Sequence, residues 1–182
     1  MFEERGFASV TTQEISERAD VAAGTLFRYA SSKSELLLMV YNEALREAIA
    51  EGLRRARDEP AAPDAVFAMV APVVENAARW PENTAVYQRE LLFGSADEQF
   101  RSAGLSIIGD LERSLAARLT ADAPGPDADA ARLAASAIFA VVHLTIARMS
   151  TGAHSGHDAM ADLRRQVALI VAGTEVRTGT ER

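Results

Sequence analysis

Apolar residues recur at intervals of three and four along most of this chain, and no stretch alternates apolar and polar residues as a strand would. A stripe of Leu36, Leu37, Val40, Leu45 and Ile49 predicts a long helix over residues 33–57, which ends before Pro60. The remaining stripes predict five further helices, namely one around 66–74, one over 81–93, one ending near 122, and two over 128–151 and 158–177. The pattern therefore predicts an all-α protein.

Two short helices are predicted before the long one. Thr11 and Glu14 have the spacing of a capping box, which starts a helix. Asp20 stands where the chain must turn sharply, and Asp tolerates a left-handed backbone. We expect the Val21 side chain to pack into the core and so hold this turn in place. The second short helix should begin near Ala22. Two short helices joined by a tight turn form a helix-turn-helix, the layout of a DNA reader.

The second short helix carries side chains that suit a DNA groove. Small residues allow close approach, hydroxyl groups bind phosphate, and an arginine binds guanine or phosphate. These residues are Ala23, Gly24, Thr25, Phe27, Arg28 and Tyr29. Lys33 begins the long helix, where backbone amides also attract a phosphate. The alternatives are a core position for Phe27 and solvated surface charges for Arg28 and Lys33.

Four runs of sequence in this region resemble the DNA-binding region of the TetR family. They are Glu4-Arg5-Gly6-Phe7, Thr11-Thr12-Gln13-Glu14-Ile15-Ser16, Val21-Ala22-Ala23-Gly24-Thr25-Leu26-Phe27-Arg28-Tyr29 and Ser32-Lys33-Ser34-Glu35-Leu36-Leu37, in the family's order and spacing. The resemblance implies an all-α fold of about nine helices. It implies a helix-turn-helix DNA-binding domain over 1–45, with its first helix largely missing, and a helical effector-binding and dimerisation domain over 46–182.

The resemblance also implies partners. These are a second copy of the chain, double-stranded DNA with a palindromic operator, and a small-molecule effector that usually releases a repressor. By position, the residues expected against phosphates are Thr12, Thr25, Tyr29 and Lys33. Those expected against bases are Gln13, Ala23, Gly24, Phe27 and Arg28.

Three departures from the family pattern bear on DNA binding. Most of the family's first helix is absent from the numbered chain, Ala30 stands where a large aromatic residue is common, and Ala22 and Ala23 stand where Ser and Lys are frequent. An unfilled Phe-to-Ala gap in a core costs about 3–5 kcal/mol. The alternative function is therefore a ligand-binding or interaction module of the same family that no longer binds DNA in this N-terminally short form.

The C-terminal helices suit a ligand cavity. A helical sensor binds its effector in an apolar cavity with a few polar groups, so we expect an apolar or amphipathic effector. His143 interrupts an apolar helix, where it lines the cavity, bonds across a subunit interface or is a core histidine. Arg89, Arg101 or Arg148 would match an acid group if one points inward. The candidate lining residues, each with ordinary core packing as its alternative, are Phe67, Met69, Val73, Trp80, Tyr87, Phe93, Phe139, His143 and Met149.

The last two predicted helices, 128–151 and 158–177, are expected to pair with their twins in a four-helix interface. Small residues there allow the helices to approach closely, and larger ones supply apolar contacts. The small residues are Ala134, Ala135, Ala137 and Ala140, and the larger ones are Leu163, Val167, Ile170 and Val171.

The amino-acid composition indicates the cellular compartment of the protein and excludes some classes of site. The 182 residues include no Cys, so disulfides and thiolate metal sites are excluded, which fits a cytoplasmic protein. No run of about 18 uninterrupted apolar residues exists, so we expect no membrane association. The net charge of −7 lies mostly beyond residue 57, because residues 1–57 carry eight basic and nine acidic side chains. Phosphate contacts are local, so a DNA-binding segment with almost no net charge still permits DNA binding.

The sequence lacks the common motifs of enzyme active sites. It contains neither a Gly-rich phosphate loop nor a nucleophile elbow, so we expect a protein that is not an enzyme and needs no cofactor. His154 and His157 lie three residues apart, a spacing that suits a shared metal. They sit among glycines, and a solvated loop is the stronger interpretation, so no metal site is predicted.

Overall fold

The computed structural model describes residues 1–95, 98–121, 126–153 and 158–176, and within these ranges the chain forms nine α-helices and no strand. The predicted all-α architecture is confirmed. A 3-10 turn, Ala56–Asp58, links the fourth helix to the fifth. The helices are α1 (Phe2–Arg5), α2 (Thr12–Arg18), α3 (Ala23–Tyr29), α4 (Lys33–Arg55), α5 (Ala62–Ala77), α6 (Pro81–Phe93), α7 (Gln99–Leu119), α8 (Ala128–Thr151) and α9 (Ala159–Val176).

The turn between α2 and α3 forms as its sequence predicts, apart from one residue. Thr11 and Glu14 make the reciprocal capping box that begins α2. The backbone N–H of Thr11 and the guanidinium of Arg5 lower the pKa of Glu14 to about 2. Asp20 adopts the left-handed backbone, with a φ of 53°. The expectation for Val21 is wrong, because its side chain is 38% exposed and does not join the core.

Two clusters of buried side chains lie along α4. The first surrounds its N-terminal half and joins α1 and α3 to Leu91 of α6 and Ile108 of α7. Ala30 belongs to this cluster and is 2% exposed. Neighbouring side chains therefore shield this position from solvent although no large aromatic residue occupies it. The second cluster joins the C-terminal half of α4 to α5, α7, α8 and α9. The helix-turn-helix therefore rests on α6 and α7 as well as on α4.

Helices α4 and α5 cross at a glycine. A Cβ atom added to Gly52 would overlap the backbone carbonyl of Met69, so only a glycine lets the two backbones approach this closely. This crossing holds α4 against the second cluster, and it fixes the direction in which α4 leaves that cluster towards the helix-turn-helix.

Helix α8 has the length and mean hydropathy of a membrane span, which by itself is weak evidence for one. Only 39% of its most apolar window is buried inside the fold, and Leu133, Ala137, Ala140 and Leu144 are exposed. An apolar face of this extent on a folded chain needs a covering surface.

Candidate functional site

The outer face of α3 is free of the core. Leu26 is the buried residue of this helix, with 7% of its surface exposed, whereas the side chains of Phe27 and Tyr29 are 47% and 70% exposed. Thr25 is half-buried, and Ala23, Gly24 and Arg28 are exposed. A Cβ atom on Gly24 would have nothing within 4 Å, so the backbone of α3 is open to close approach here. The candidate base-contacting residues of α3 thus share one accessible surface.

Helix α2 supplies two further residues expected at DNA. Thr12 is half-buried in its first turn, and Gln13 is exposed. The side-chain amide of Gln13 donates a hydrogen bond to Glu17 at 2.9 Å. Gln13 would have to exchange this intrahelical contact for a base.

The structure gives Lys33 partners within the chain that the sequence did not predict. Its Nζ donates to the backbone carbonyls of Phe7 and Val10, both at 2.9 Å, and lies 4.2 Å from the centroid of the Phe7 ring. The cause is the path of the α1–α2 loop, which passes over the start of α4. Two of the three ammonium protons are occupied, so Lys33 ties this loop to α4 and has one proton left for a further acceptor.

Asn83, at the start of α6, holds the first residues of the chain. Its Nδ2 donates to the carbonyl of Phe2, and its Oδ1 accepts from the backbone N–H of Phe7, each at 2.7 Å. The Asn83 side chain is buried, with an exposed fraction of 2%. Beside it, Glu82 accepts a longer bond from the N–H of Ala8 at 3.3 Å. The N-terminal segment is therefore attached to α6 through side chains that pattern reasoning did not single out.

A second link joins the end of α3 to α7. The buried carboxylate of Glu35 accepts hydrogen bonds from the N–H and hydroxyl of Ser31, at 2.8 and 3.1 Å, and from the N–H of Phe100 at 3.3 Å. Burial raises the pKa of Glu35, but these donors outweigh it and hold the pKa below its usual value. Glu35 is thus an ionised bridge between the helix-turn-helix and α7.

An apolar cavity of about 70 Å³ lies among α4, α5, α6, α7 and α8. Of the candidate residues, the structure brings Val73, Tyr87, Phe139 and His143 together in its wall. Sequence reasoning missed most of the wall, including the contribution of α4. The missed lining residues are Tyr41, Leu45, Ala48, Ile49, Asn76, Ala77, Thr84, Gln88, Leu91, Ile108, Leu111, Val142 and Ile146.

Five of the predicted lining residues lie elsewhere. Phe67 and Met69 are core residues of α5, because they occupy the faces of that helix that point away from the cavity. The Phe67 ring packs under the guanidinium of Arg164, 4.1 Å away. Phe93 ends α6 on the surface and is 82% exposed.

Trp80 and Met149 do not line the cavity either. Trp80 is the residue immediately before α6 and does not line the cavity. Met149 lines a separate cavity of about 60 Å³ between α8 and the loop before α6. That cavity shares Ala77 and Ile146 with the larger one.

Among the described residues, no Asp, Glu, Lys or Arg lines the larger cavity. Arg89 pairs with Glu90 on the surface, Arg101 donates to the carbonyl of Leu92, and Arg148 is exposed. The arginines considered as partners for an acid group therefore do not reach the cavity. Within the described residues no three His, Asp or Glu side chains form a metal-binding group, and His154 and His157 lie outside those residues.

Polar groups of the cavity wall are concentrated on α6. Gln88 contacts His143 of α8, and the Tyr87 hydroxyl donates to Oδ1 of Asn42 at 2.9 Å. Asn42 in turn donates to the carbonyl of Phe100 at 2.8 Å. Burial raises the pKa of Tyr87, so its hydroxyl stays protonated. Burial lowers the pKa of His143, which favours the neutral ring.

The outer faces of α8 and α9 differ in part from the expected interface. Ala134 and Ala135 face the core of their own chain, as do Leu163, Val167 and Val171. The expectation that these five residues meet a partner is wrong, because helix periodicity turns them inward. The outward stripe of α8 consists of Leu133, Ala137, Ala140 and Leu144. On α9, Leu169 is 72% exposed and Ile170 is half-buried.

Comparison with known proteins adds one sequence match and several structural ones. Residues 1–40 match the family described as "Bacterial regulatory proteins, tetR family". No curated protein matches the chain by sequence.

Solved structures of transcriptional regulators share the fold. FadR from Bacillus subtilis in complex with stearoyl-CoA is 22% identical, with a TM-score of 0.68 over 94% of this chain and 92% of that one. Thermus thermophilus FadR, a repressor in complex with lauroyl-CoA, is 20% identical, with a TM-score of 0.72 over 94% and 88%. A TetR regulator from Rhodococcus sp. RHA1 is 20% identical, with a TM-score of 0.70 over 92% and 87%.

Proposed function

We propose that this chain, whose residues 1–40 match the tetR family model, is a transcriptional regulator of that family that binds DNA and responds to a small apolar or amphipathic ligand. The observation that carries the proposal is the outer face of α3. It presents an aromatic ring, two hydroxyl groups, an arginine and an open backbone to solvent while a single leucine anchors the helix.

The contacts proposed with DNA follow from this face. Thr12, Thr25 and Tyr29 bind phosphates, with Lys33 adding its remaining proton, and these contacts set the register. The residues proposed at the bases are Gln13, Ala23, Gly24, Phe27 and Arg28. Arg28 suits a guanine edge, and Phe27 suits the methyl group of thymine.

We propose that the chain is a homodimer built on α8 and α9. Leu133, Ala137, Ala140 and Leu144 recur at helical spacing on the uncovered side of α8, and Leu169 stands out from α9. Pairing these faces with their twins covers Leu133, Leu144 and Leu169, which are 52%, 49% and 72% exposed. A twofold dimer presents two copies of α3, which suits a palindromic operator with half-sites about 34–36 Å apart.

The ligand site proposed is the cavity among α4 to α8. Both FadR structures named above were solved with an acyl-CoA, which makes an apolar chain a reasonable occupant here. Ligand cavities span about 300–1,000 Å³. The present volume of about 70 Å³ is smaller, so an occupant must push the lining helices apart.

Movement of α6 is the proposed signal. The cavity-lining face of α6 carries Thr84, Tyr87 and Gln88, and its first turn carries Asn83, which holds the N-terminal segment. A ligand that displaces α6 therefore pulls on the segment that Lys33 ties to α4. We propose domains over 1–45 and 46–182 that communicate through this junction, a repressor released by its ligand, and a cytoplasmic location.

Selection of bound sequences from a random duplex library, followed by mobility-shift titration, tests DNA binding. The variants Phe27→Ala and Arg28→Ala should weaken binding of the selected duplex roughly tenfold or more, because each removes a base contact. Arg113→Ala is the matched control, since Arg113 is 73% exposed on α7, away from α3. Failure to enrich any sequence, or equal binding by all three variants, would refute a DNA-binding role and leave the ligand module as the function.

A further inference from the structure

The side chains of Gln88 and His143 form a hydrogen-bonded pair in the wall of the apolar cavity. Nε2 of Gln88 donates to the backbone carbonyl of His143 at 3.1 Å and to Nδ1 of the same residue at 3.0 Å. A carbonyl oxygen only accepts, so the amide must present its NH₂ group to His143. Both amide protons are then used, and the orientation of the Gln88 side chain is determined.

This contact also determines the tautomer of His143. Because Nδ1 faces an N–H donor, it must be the unprotonated nitrogen, and the single ring proton sits on Nε2. A proton on Nδ1 would point at the amide protons of Gln88. The neutral ring therefore presents one N–H group, and Nε2 makes no hydrogen bond to any residue that the structure describes.

The rest of the cavity wall offers little to a charged ligand. Among the described residues it contains no Lys, Arg, Asp or Glu side chain, and two of its hydroxyl groups are engaged within the chain, whereas the buried hydroxyl of Tyr41 has no partner. The hydroxyl of Thr84 donates to the carbonyl of Ala77 at 2.9 Å, and that of Tyr87 donates to Asn42. A charged group placed here would lose its hydration without finding a counter-charge.

We infer that the pair of Gln88 and His143 selects a ligand whose buried part is uncharged, mainly apolar and equipped with one oxygen acceptor, such as the carbonyl group of an ester. His143 binds that oxygen through its Nε2–H, and Gln88 holds the ring in the donating tautomer. The inference rests on the proposed ligand site and adds to it the chemical class of the ligand. Any charged portion of the ligand stays outside the cavity.

Three probes of similar length test the inference by calorimetry and by the fluorescence of Trp80, the single tryptophan, which precedes α6. They are methyl hexanoate, which is an uncharged acceptor, heptane, which has no acceptor, and hexanoate, which is an anion. The wild-type chain should bind the ester at least tenfold more tightly than hexanoate. It should prefer the ester to heptane by roughly threefold to tenfold, the contribution of one hydrogen bond.

Variants separate recognition from packing. His143→Leu should abolish the preference for the ester over heptane and leave heptane binding within about twofold, whereas His143→Gln retains an N–H donor and should restore part of the preference. Gln88→Leu should weaken the preference, because the ring loses the partner that fixes its tautomer. If His143→Leu does not fold, the Gln88→Leu and His143→Gln ratios decide the question.

Three results would overturn the inference. They are equal binding of hexanoate and ester, an unchanged preference in both leucine variants, and no binding of any probe by a preparation that still binds its selected duplex. The last result leaves DNA binding intact and removes only the ligand assignment. Loss of duplex binding with intact probe selectivity would instead contradict the proposed regulator and preserve the cavity chemistry.

Discussion

The hydroxyl of Tyr87 donates a hydrogen bond to Oδ1 of Asn42 at 2.9 Å, which joins the cavity face of α6 to the helix that leads into the helix-turn-helix. Both side chains are buried, with exposed fractions of 7% and 1%. Asn42 uses its Nδ2 on the carbonyl of Phe100, so one amide binds α6 and α7 to α4 together. A shift of α6 towards the solvent must stretch or break this bond.

Tyr87→Phe should lower the free energy of unfolding by about 1–3 kcal/mol, because it leaves a buried acceptor of Asn42 without its donor. Urea denaturation measures the change. Tyr29→Phe is the control, since the Tyr29 ring is 70% exposed and its hydroxyl should contribute less than about 0.5 kcal/mol. Equal effects of the two variants would show that the bond between α6 and α4 is not a structural link.

Asn83→Ala should loosen the N-terminal segment. It removes one donated and one accepted hydrogen bond, so the backbone N–H of Phe7 should exchange with solvent deuterium at least tenfold faster. Glu82→Ala, which deletes only the longer bond to Ala8, should have a smaller effect. We also expect Asn83→Ala to weaken duplex binding, and unchanged exchange at Phe7 would remove Asn83 from the proposed signal path.

Gly52→Ala should destabilise the chain by about 1–3 kcal/mol, because the added methyl group forces α4 and α5 apart at a backbone contact. Gly109→Ala is the matched control in another helix. A Cβ atom there meets only the flexible side chain of Arg113, so the substitution should be neutral or stabilising by up to about 1 kcal/mol. Thermal unfolding of both variants compares them, and a neutral Gly52→Ala would contradict the close crossing.

Local sequence signals predicted the helices and the turn because their causes are local. The capping box of Thr11 and Glu14, the left-handed Asp20 and the Leu26 anchor each depend on residues within a few positions. The exposure of Val21 was not predicted, because burial depends on which distant side chains complete the core. Val10 and Leu26 belong to that core, and Val21 does not.

The cavity wall and the outer faces depend on how helices are turned towards one another. Gln88 was missed because a polar residue in an amphipathic helix is usually on the surface, whereas here it contacts His143 in the cavity wall. Ala134 and Ala137 are equally suited to a core and to an interface, so their faces could not be distinguished by residue type. The better signal was Leu133 and Leu144, which fall outside the inward stripe of α8.

Acid should destabilise the chain through His143. Burial lowers its pKa in the folded state below the unfolded value of about 6.5. The unfolded chain then binds more protons between the two values, so the free energy of unfolding falls as pH drops from about 7.5 through 6.5 and continues to fall until the folded pKa is reached. Urea denaturation at several pH values should show a weaker dependence for His143→Gln. Identical pH profiles for the wild-type chain and for His143→Gln would indicate that burial does not shift the pKa of His143.

Leu144→Glu should disrupt the dimer by placing a carboxylate on the apolar stripe of α8. A charge buried without a partner at an interface costs several kcal/mol, so the dissociation constant should rise at least a hundredfold. Sedimentation velocity measures the mass of the particle as concentration is lowered. Leu105→Glu is the control, because Leu105 is also an exposed leucine but lies on α7, outside the proposed interface. If the wild-type chain is monomeric, or if Leu105→Glu dissociates it while Leu144→Glu does not, the pairing must use another face, and the spacing of the two α3 helices would have to be derived again from that face.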